Sequence, residues 1–233
     1  MGGLTFGAEN SKLVKRVGFM ITKTMEEALK YFTDVLGLTS NDYTAMHIDI
    51  ANMVNNEVKA IYDIFGNVNA GGYLKGFQIT TSMPPGMVAY YSPYNKEVSL
   101  QKGDVMYGKS LAKMGANAQK NHEASFWSTN KPEHAVRHEL GHAVGYWLTS
   151  MDAVMRNKIS ILHSQLLRDS GIDVWDRFRN AKEQKLAAGR LISHYALKAD
   201  KELIAESIAE YMTGNPREVA IRVVKILLKT EEV

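Results

Sequence analysis

His138-Glu139-Leu140-Gly141-His142 stands inside HAVRHELGHAVGYWL, residues 134–148, and its spacing decides how the chain is read. On an α-helix, positions i and i+4 lie on one face, so His138 and His142 can both present imidazole nitrogen to one metal ion. Glu139 lies beside the first of them, where a carboxylate can take a proton from a water held at that metal. Ala143, Val144, Trp147 and Leu148 make the rest of the segment apolar, as a buried helix requires.

The pattern H-E-x-x-H is the helix signature of zinc-dependent proteases. A catalytic zinc of this kind takes three protein ligands and keeps a position for water, so a third ligand must lie elsewhere in the chain. Gly145 extends the pattern to H-E-x-x-H-x-x-G, but Leu148 stands where a metzincin carries its third histidine, and the metzincin reading fails there. His134 shares the face of His138 and His142. A rise of about 12 Å separates the outer two at 1.5 Å per residue, so one metal cannot use all three. His134 therefore belongs behind the metal or at the surface.

Asp152, His163, His194, Glu202 and Glu206 are the candidates for third ligand. Asp152 sits at the far end of the same helix and would have to bend back. His163 lies in a polar helical stretch with no other metal-type residue at hand. Glu202 and Glu206 stand one turn apart in KELIAESIAEYM, among Ile204, Ala205, Ile208, Ala209 and Met212. Carboxylates in such surroundings are costly to bury unless paired or metal-bound. A solvated Lys/Glu face is the competing reading of the same spacing.

With 233 residues the chain can bury a sizeable core. It carries no cysteine, which excludes disulfides and any thiolate-held metal and leaves a metal only His and carboxylate ligands. The net charge of +3 is spread along the chain, so nothing points to nucleic acid as a partner. MGGLTFGAENSKLVKR lacks the apolar centre of a signal peptide, and no run approaches a membrane span. The chain reads as cytoplasmic when synthesised, with virion association or a non-classical export route left open.

In order, a loose Gly-rich and basic arm is expected first. Thr24 with Glu26 and Glu27 then marks a helix start, and Gly37 its stop. A longer helix follows Ser40-Asn41-Asp42 and runs from Ala45 to Phe65, with His47 inside it as a structural residue. Gly76–Thr81 alternates as a strand, Pro84-Pro85-Gly86 breaks it, and Met87–Tyr91 with Glu97–Leu100 reads as a hairpin turning at Ser92–Asn95. An edge strand at that place could accept a substrate peptide by strand addition, or serve only as scaffold. Residues 104–120 are expected helical, 121–130 a loop, and Pro132 the opening of the H-E-x-x-H helix. Further helices are expected over 151–168, 173–188 and around Pro216–Leu228. The fold class is α+β: mostly helical, with a small mixed sheet or hairpin beside the active-site helix. Residues 1–70 form an N-terminal helical region and 71–233 the core.

His138–His142 together with ISHYALKADKELIAESIAEYM resembles the gluzincin metallopeptidase domain at the C-terminus of anthrax lethal factor. It is also similar to the related peptidase domains of phage head proteins and prophage genes. Those domains carry an E-x-x-x-E pair on a second helix and a tyrosine seven residues before its first glutamate. Here the pair is Glu202 and Glu206, and the tyrosine is Tyr195 of Ser193-His194-Tyr195. The resemblance covers residues 75–213 and implies a zincin-like fold. It implies Glu202 as third zinc ligand, Tyr195 as hydrogen-bond donor to the oxyanion, and Glu206 as a carboxylate orienting a ligand histidine. It further implies zinc as cofactor, a protein or peptide as substrate, and hydrolysis with Glu139 as base. The lethal factor's substrate-recognition domains have no counterpart here. Two other classes compete: a phage or prophage structural protein with a structural or vestigial metal site, and a binding module presenting the basic helices of 151–190.

Overall fold

A computed structural model describes residues 20–39, 42–84, 86–171 and 182–230. The N-terminal arm, Ser40, Asn41, Pro85 and the first part of the helix expected over 173–188 lie outside the described residues.

Thr24 caps helix α1 (Met25–Lys30), its hydroxyl accepting the Glu27 N–H at 3.2 Å. A π-helical turn, Tyr31–Val35, prolongs α1, and Gly37 ends it with φ at +68°. Helix α2 is Ile48–Phe65, shorter at its start than the apolar spacing implies. A 3-10 turn occupies Tyr43–Ala45, and His47 caps α2 from outside, its Nδ1 accepting the Asp49 N–H at 3.4 Å. Periodicity cannot separate a capping residue from the first helical turn, hence the difference.

Strands β1 (Gly76–Thr80), β2 (Ala89–Ser92) and β3 (Glu97–Gln101) form one sheet in the order β1-β3-β2. The expected hairpin is β2–β3, with Tyr91 opposite Val98. Strand β1 runs parallel to β3, with Phe77 opposite the same Val98, so the sheet is mixed and β2 is an edge. The helix expected over 104–120 is divided. One turn, α3 (Lys102–Val105), precedes a break at Tyr107 where the Ser110 hydroxyl accepts the Tyr107 N–H at 3.0 Å, and α4 then runs from Ser110 to Glu123. That side chain-to-backbone bond offers the chain a turn in place of continuous helix.

The remaining helices are α5 (His134–Met151), α6 (Ala153–Asp169), α7 (Lys182–Leu191), α8 (Asp200–Tyr211) and α9 (Glu218–Leu228). Helix α5 is the axis of the molecule: α8 packs along it, β2 lies beside it, and α2 reaches its first half. One apolar core runs from Ala28 to Leu227 through Phe32, Ile61, Phe77, Leu100, Leu140 and Ile208. The architecture is α+β, mostly helical, with a small mixed sheet. Among the described residues no helix is long and apolar enough to cross a membrane.

Arg137 fixes α5 against α2 through a buried pair, Nε to Glu57 Oε2 at 2.7 Å and Nη2 to Oε1 at 2.9 Å. Burial drives the Glu57 carboxyl upward in pKa, and the guanidinium opposes it. Removing one partner strands the other in the core. Arg137→Ala is therefore expected to cost about 3–5 kcal/mol in denaturant unfolding. A loss below about 1 kcal/mol, the range of solvated pairs, would show that Glu57 finds water instead.

Candidate metal centre

Helices α5 and α8 approach closely because α5 carries glycine where they touch. A Cβ on Gly141 would lie 2.8 Å from the Ala205 Cα, and one on Gly145 would lie 3.0 Å from the Ile204 Cγ2. The small residue inside H-E-x-x-H thus lets the helix bearing Glu202 and Glu206 reach the histidines. Gly141→Ala is expected to destabilise despite improved helix propensity. Overpacking costs about 1–3 kcal/mol, against roughly 0.5–1 kcal/mol gained for Ala over Gly. An unchanged or raised midpoint in chemical denaturation would show that the helices can part freely.

Across this contact three side chains converge. Glu202 Oε2 lies 3.2 Å from His138 Nε2 and 3.3 Å from His142 Nε2, and the two imidazole rings stand nearly perpendicular with centroids 4.7 Å apart. The Glu202 Oε2 is buried and meets both imidazole nitrogens at ion-pair distance. Three potential ligand atoms, from His138, His142 and Glu202, thus lie within 4.8 Å of one another and could hold a cation. Two imidazoles and one carboxylate suit a divalent first-row ion. The residues fit a metal.

Electrostatics report the same convergence. Burial disfavours a charged His138, but Glu202 and Glu206 on either side outweigh it and hold its pKa up at about 10. Burial likewise opposes the Glu202 carboxylate, and His138 and His142 draw it down to about 2. The carboxylates thus favour a positive charge at His138, and a bound cation would compete with a proton there.

Glu206 is wholly buried behind His138. Its Oε1 lies 2.9 Å from His138 Nδ1 and 3.1 Å from His134 Nε2, and its Oε2 accepts the Ser128 N–H at 2.6 Å. His134 is thus placed behind Glu206 and His138 rather than at the surface. Glu139 Oε2 accepts the Tyr91 N–H of β2 at 2.6 Å, and its charge acts on His138 and Tyr195. Tyr195 sits with its ring 5.4 Å from that of His138 and 4.9 Å from Phe126. Burial, with the charges of Glu202, Glu139 and Glu206, pushes its phenol above the ordinary value, so it remains a donor.

Several contributors have no signature in the sequence. Ser128 and Tyr91 act through backbone N–H groups that every non-proline residue carries. The 121–130 segment reaches the site because the N–H groups of His194 and Tyr195 donate to the carbonyls of Ser125 and Phe126, at 2.8 and 3.2 Å. Its first three residues, 121–123, belong to α4, and 124–130 are non-helical as expected. Arg217 completes the frame, gripping Glu210 through Nε and Nη2, both at 2.7 Å, and the Ser128 carbonyl at 3.2 Å.

The other ligand candidates stand apart from the convergence. Asp152 caps α6 by accepting the Met155 N–H at 2.9 Å and pairs with Lys229 at the same distance. His163 binds Asp200 at 2.7 Å, tying α6 to the start of α8. The backbone of His194 anchors its loop, and its buried Nδ1 is unpartnered. Among the described residues, two groups bring ligand atoms within 4.8 Å of one another: His138, His142 and Glu202, and His134, His138 and Glu206. No family model, curated protein or solved structure matches this chain.

Proposed function

We propose that the chain is a zinc-dependent endopeptidase with a zincin-like core of the gluzincin type. His138, His142 and Glu202 hold the metal and Glu139 acts as general base. The observation that carries the reading is the convergence of the buried Glu202 Oε2, from α8, on the Nε2 atoms of His138 and His142 at 3.2 and 3.3 Å, with Glu139 next to His138 on α5. A bound zinc would supply Lewis-acid polarisation of a peptide carbonyl and acidify a water.

The protein groups supply the rest. Glu139 takes the proton of the attacking water and delivers it to the leaving amine, while the Tyr91 N–H steadies its second oxygen. Tyr195 donates a hydrogen bond to the developing oxyanion, a contribution of about 2.7–4 kcal/mol for one such donor. The edge strand β2 offers backbone groups to an extended peptide, though the Tyr91 N–H is already engaged by Glu139. Beside His142 a cavity of about 250 Å³, bounded by Tyr146, Ile159 and Ile204 with Arg156 and Lys201, has room for a substrate side chain.

The test is incubation of the zinc-loaded protein with an unfolded polypeptide, followed by mass spectrometry of new N-termini. Cleavage that stops with chelator and returns with zinc is expected. Zinc-loaded protein that cuts nothing, at any neutral pH and for any unfolded substrate, would instead favour a structural metal site.

A further inference from the structure

We infer that His134 is a positioning residue of the metal centre: through Glu206 it fixes the ring and tautomer of the ligand His138. The inference rests on the metal assignment to His138, His142 and Glu202, and is independent of peptide hydrolysis.

His134 lies one helical turn before His138 and is completely buried. The Trp127 ring stacks on it, with centroids 4.3 Å apart and planes 22° apart, so the imidazole has little freedom to turn. Its Nε2 hydrogen-bonds Glu206 Oε1 at 3.1 Å, and its Nδ1 lies 3.4 Å from the Thr129 hydroxyl. A donor is required at Oε1, so the proton resides on Nε2 and Nδ1 accepts from Thr129; partners, not observed hydrogens, make this assignment.

The same Oε1 faces His138 Nδ1 at 2.9 Å, an ion-pair contact without the alignment of a hydrogen bond, while the Ser128 N–H fills Oε2. Glu206 is thereby held from both ends. A carboxylate so fixed calls for a proton on His138 Nδ1, which leaves Nε2 free to bind metal. Without the His134 hydrogen bond, the buried Glu206 loses one of its fixed partners, and its hold on His138 loosens.

His134 Nε2, His138 Nδ1 and Glu206 Oε1 also lie close enough to hold a second ion. We favour the relay because His134 and Glu206 already form a hydrogen bond, and because an ion there would require His138 to give both nitrogens to metals.

Zinc affinity, measured by competition with a chromophoric chelator, separates these cases in wild type, His134→Asn, His134→Gln and Glu206→Gln. Glutamine can place an amide N–H near the position of imidazole Nε2, and asparagine cannot. His134→Asn is expected to bind zinc about 10–100-fold more weakly, the usual effect of losing a partner behind a ligand. His134→Gln should bind close to wild type, and His134→Asn should add little in a Glu206→Gln background. Melting of the metal-free proteins tracks folding separately, so a general loss of stability cannot imitate the Asn/Gln contrast. Wild-type affinity in His134→Asn would overturn the inference, as would equal weakening by Asn and Gln. A second zinc in wild type that His134→Asn alone removes would overturn it in favour of a two-metal site. A wild type that binds no zinc would sink the metal assignment itself.

Discussion

Glu139→Gln is expected to lower turnover by about 10²–10⁴-fold while leaving zinc content unchanged, because general acid–base catalysis contributes on that scale. The substitution isolates chemistry from structure. Glutamine keeps a carbonyl oxygen that can accept the Tyr91 N–H, so the contact between β2 and α5 survives. It removes only the capacity to take a proton. Steady-state cleavage by metal-matched proteins is the measurement, and undiminished turnover would show that another group accepts the proton.

Glu202→Ala is expected to weaken zinc binding by more than the roughly 10–100-fold that follows loss of a partner behind a ligand. The Glu202 carboxylate is the α8 member of the group formed with His138 and His142, and without it two imidazoles must hold the ion. Glu206→Gln, which leaves all three ligands in place, should fall within that smaller range. Titration of both metal-free variants with zinc gives the order directly. If Glu206→Gln lost the metal and Glu202→Ala kept it, the ion would lie in the deeper group of His134, His138 and Glu206.

The site is unevenly legible in the sequence, for physical reasons. His138, Glu139 and His142 can be read because helical spacing alone places two imidazoles on one face. Glu202 and Glu206 can be read as a buried pair, but the choice between them depends on where α8 crosses α5. That crossing is set by Gly141 and Gly145, whose role becomes visible only when Ala205 and Ile204 are found against them. Ser128 and Tyr91 were not legible at all, since a backbone N–H has no residue type. The β2–β3 hairpin announces itself through its turn residues, whereas the parallel pairing of β1 with β3 depends on a tertiary contact. His47 shows the same limit on a smaller scale: its ring caps α2 from outside a helix whose periodicity runs through it.

Buried polar groups cluster round α5, and they share one logic. Arg137 with Glu57, His134 with Glu206 and Glu139 with the Tyr91 N–H each match a charge or dipole from a different neighbour. Successive turns of one helix are thereby fixed in rotation against α2, α8 and β2. Such fixing matters most to a metal centre, whose ligands must be aimed before the ion arrives.

Anomalous diffraction at the zinc absorption edge, from crystals of the zinc-loaded protein, tests the central claim most directly. One peak among His138 Nε2, His142 Nε2 and Glu202 is expected, with Glu206 turned towards His138 Nδ1 behind it. A peak between His134, His138 and Glu206, or no peak in protein saturated with zinc, would contradict it.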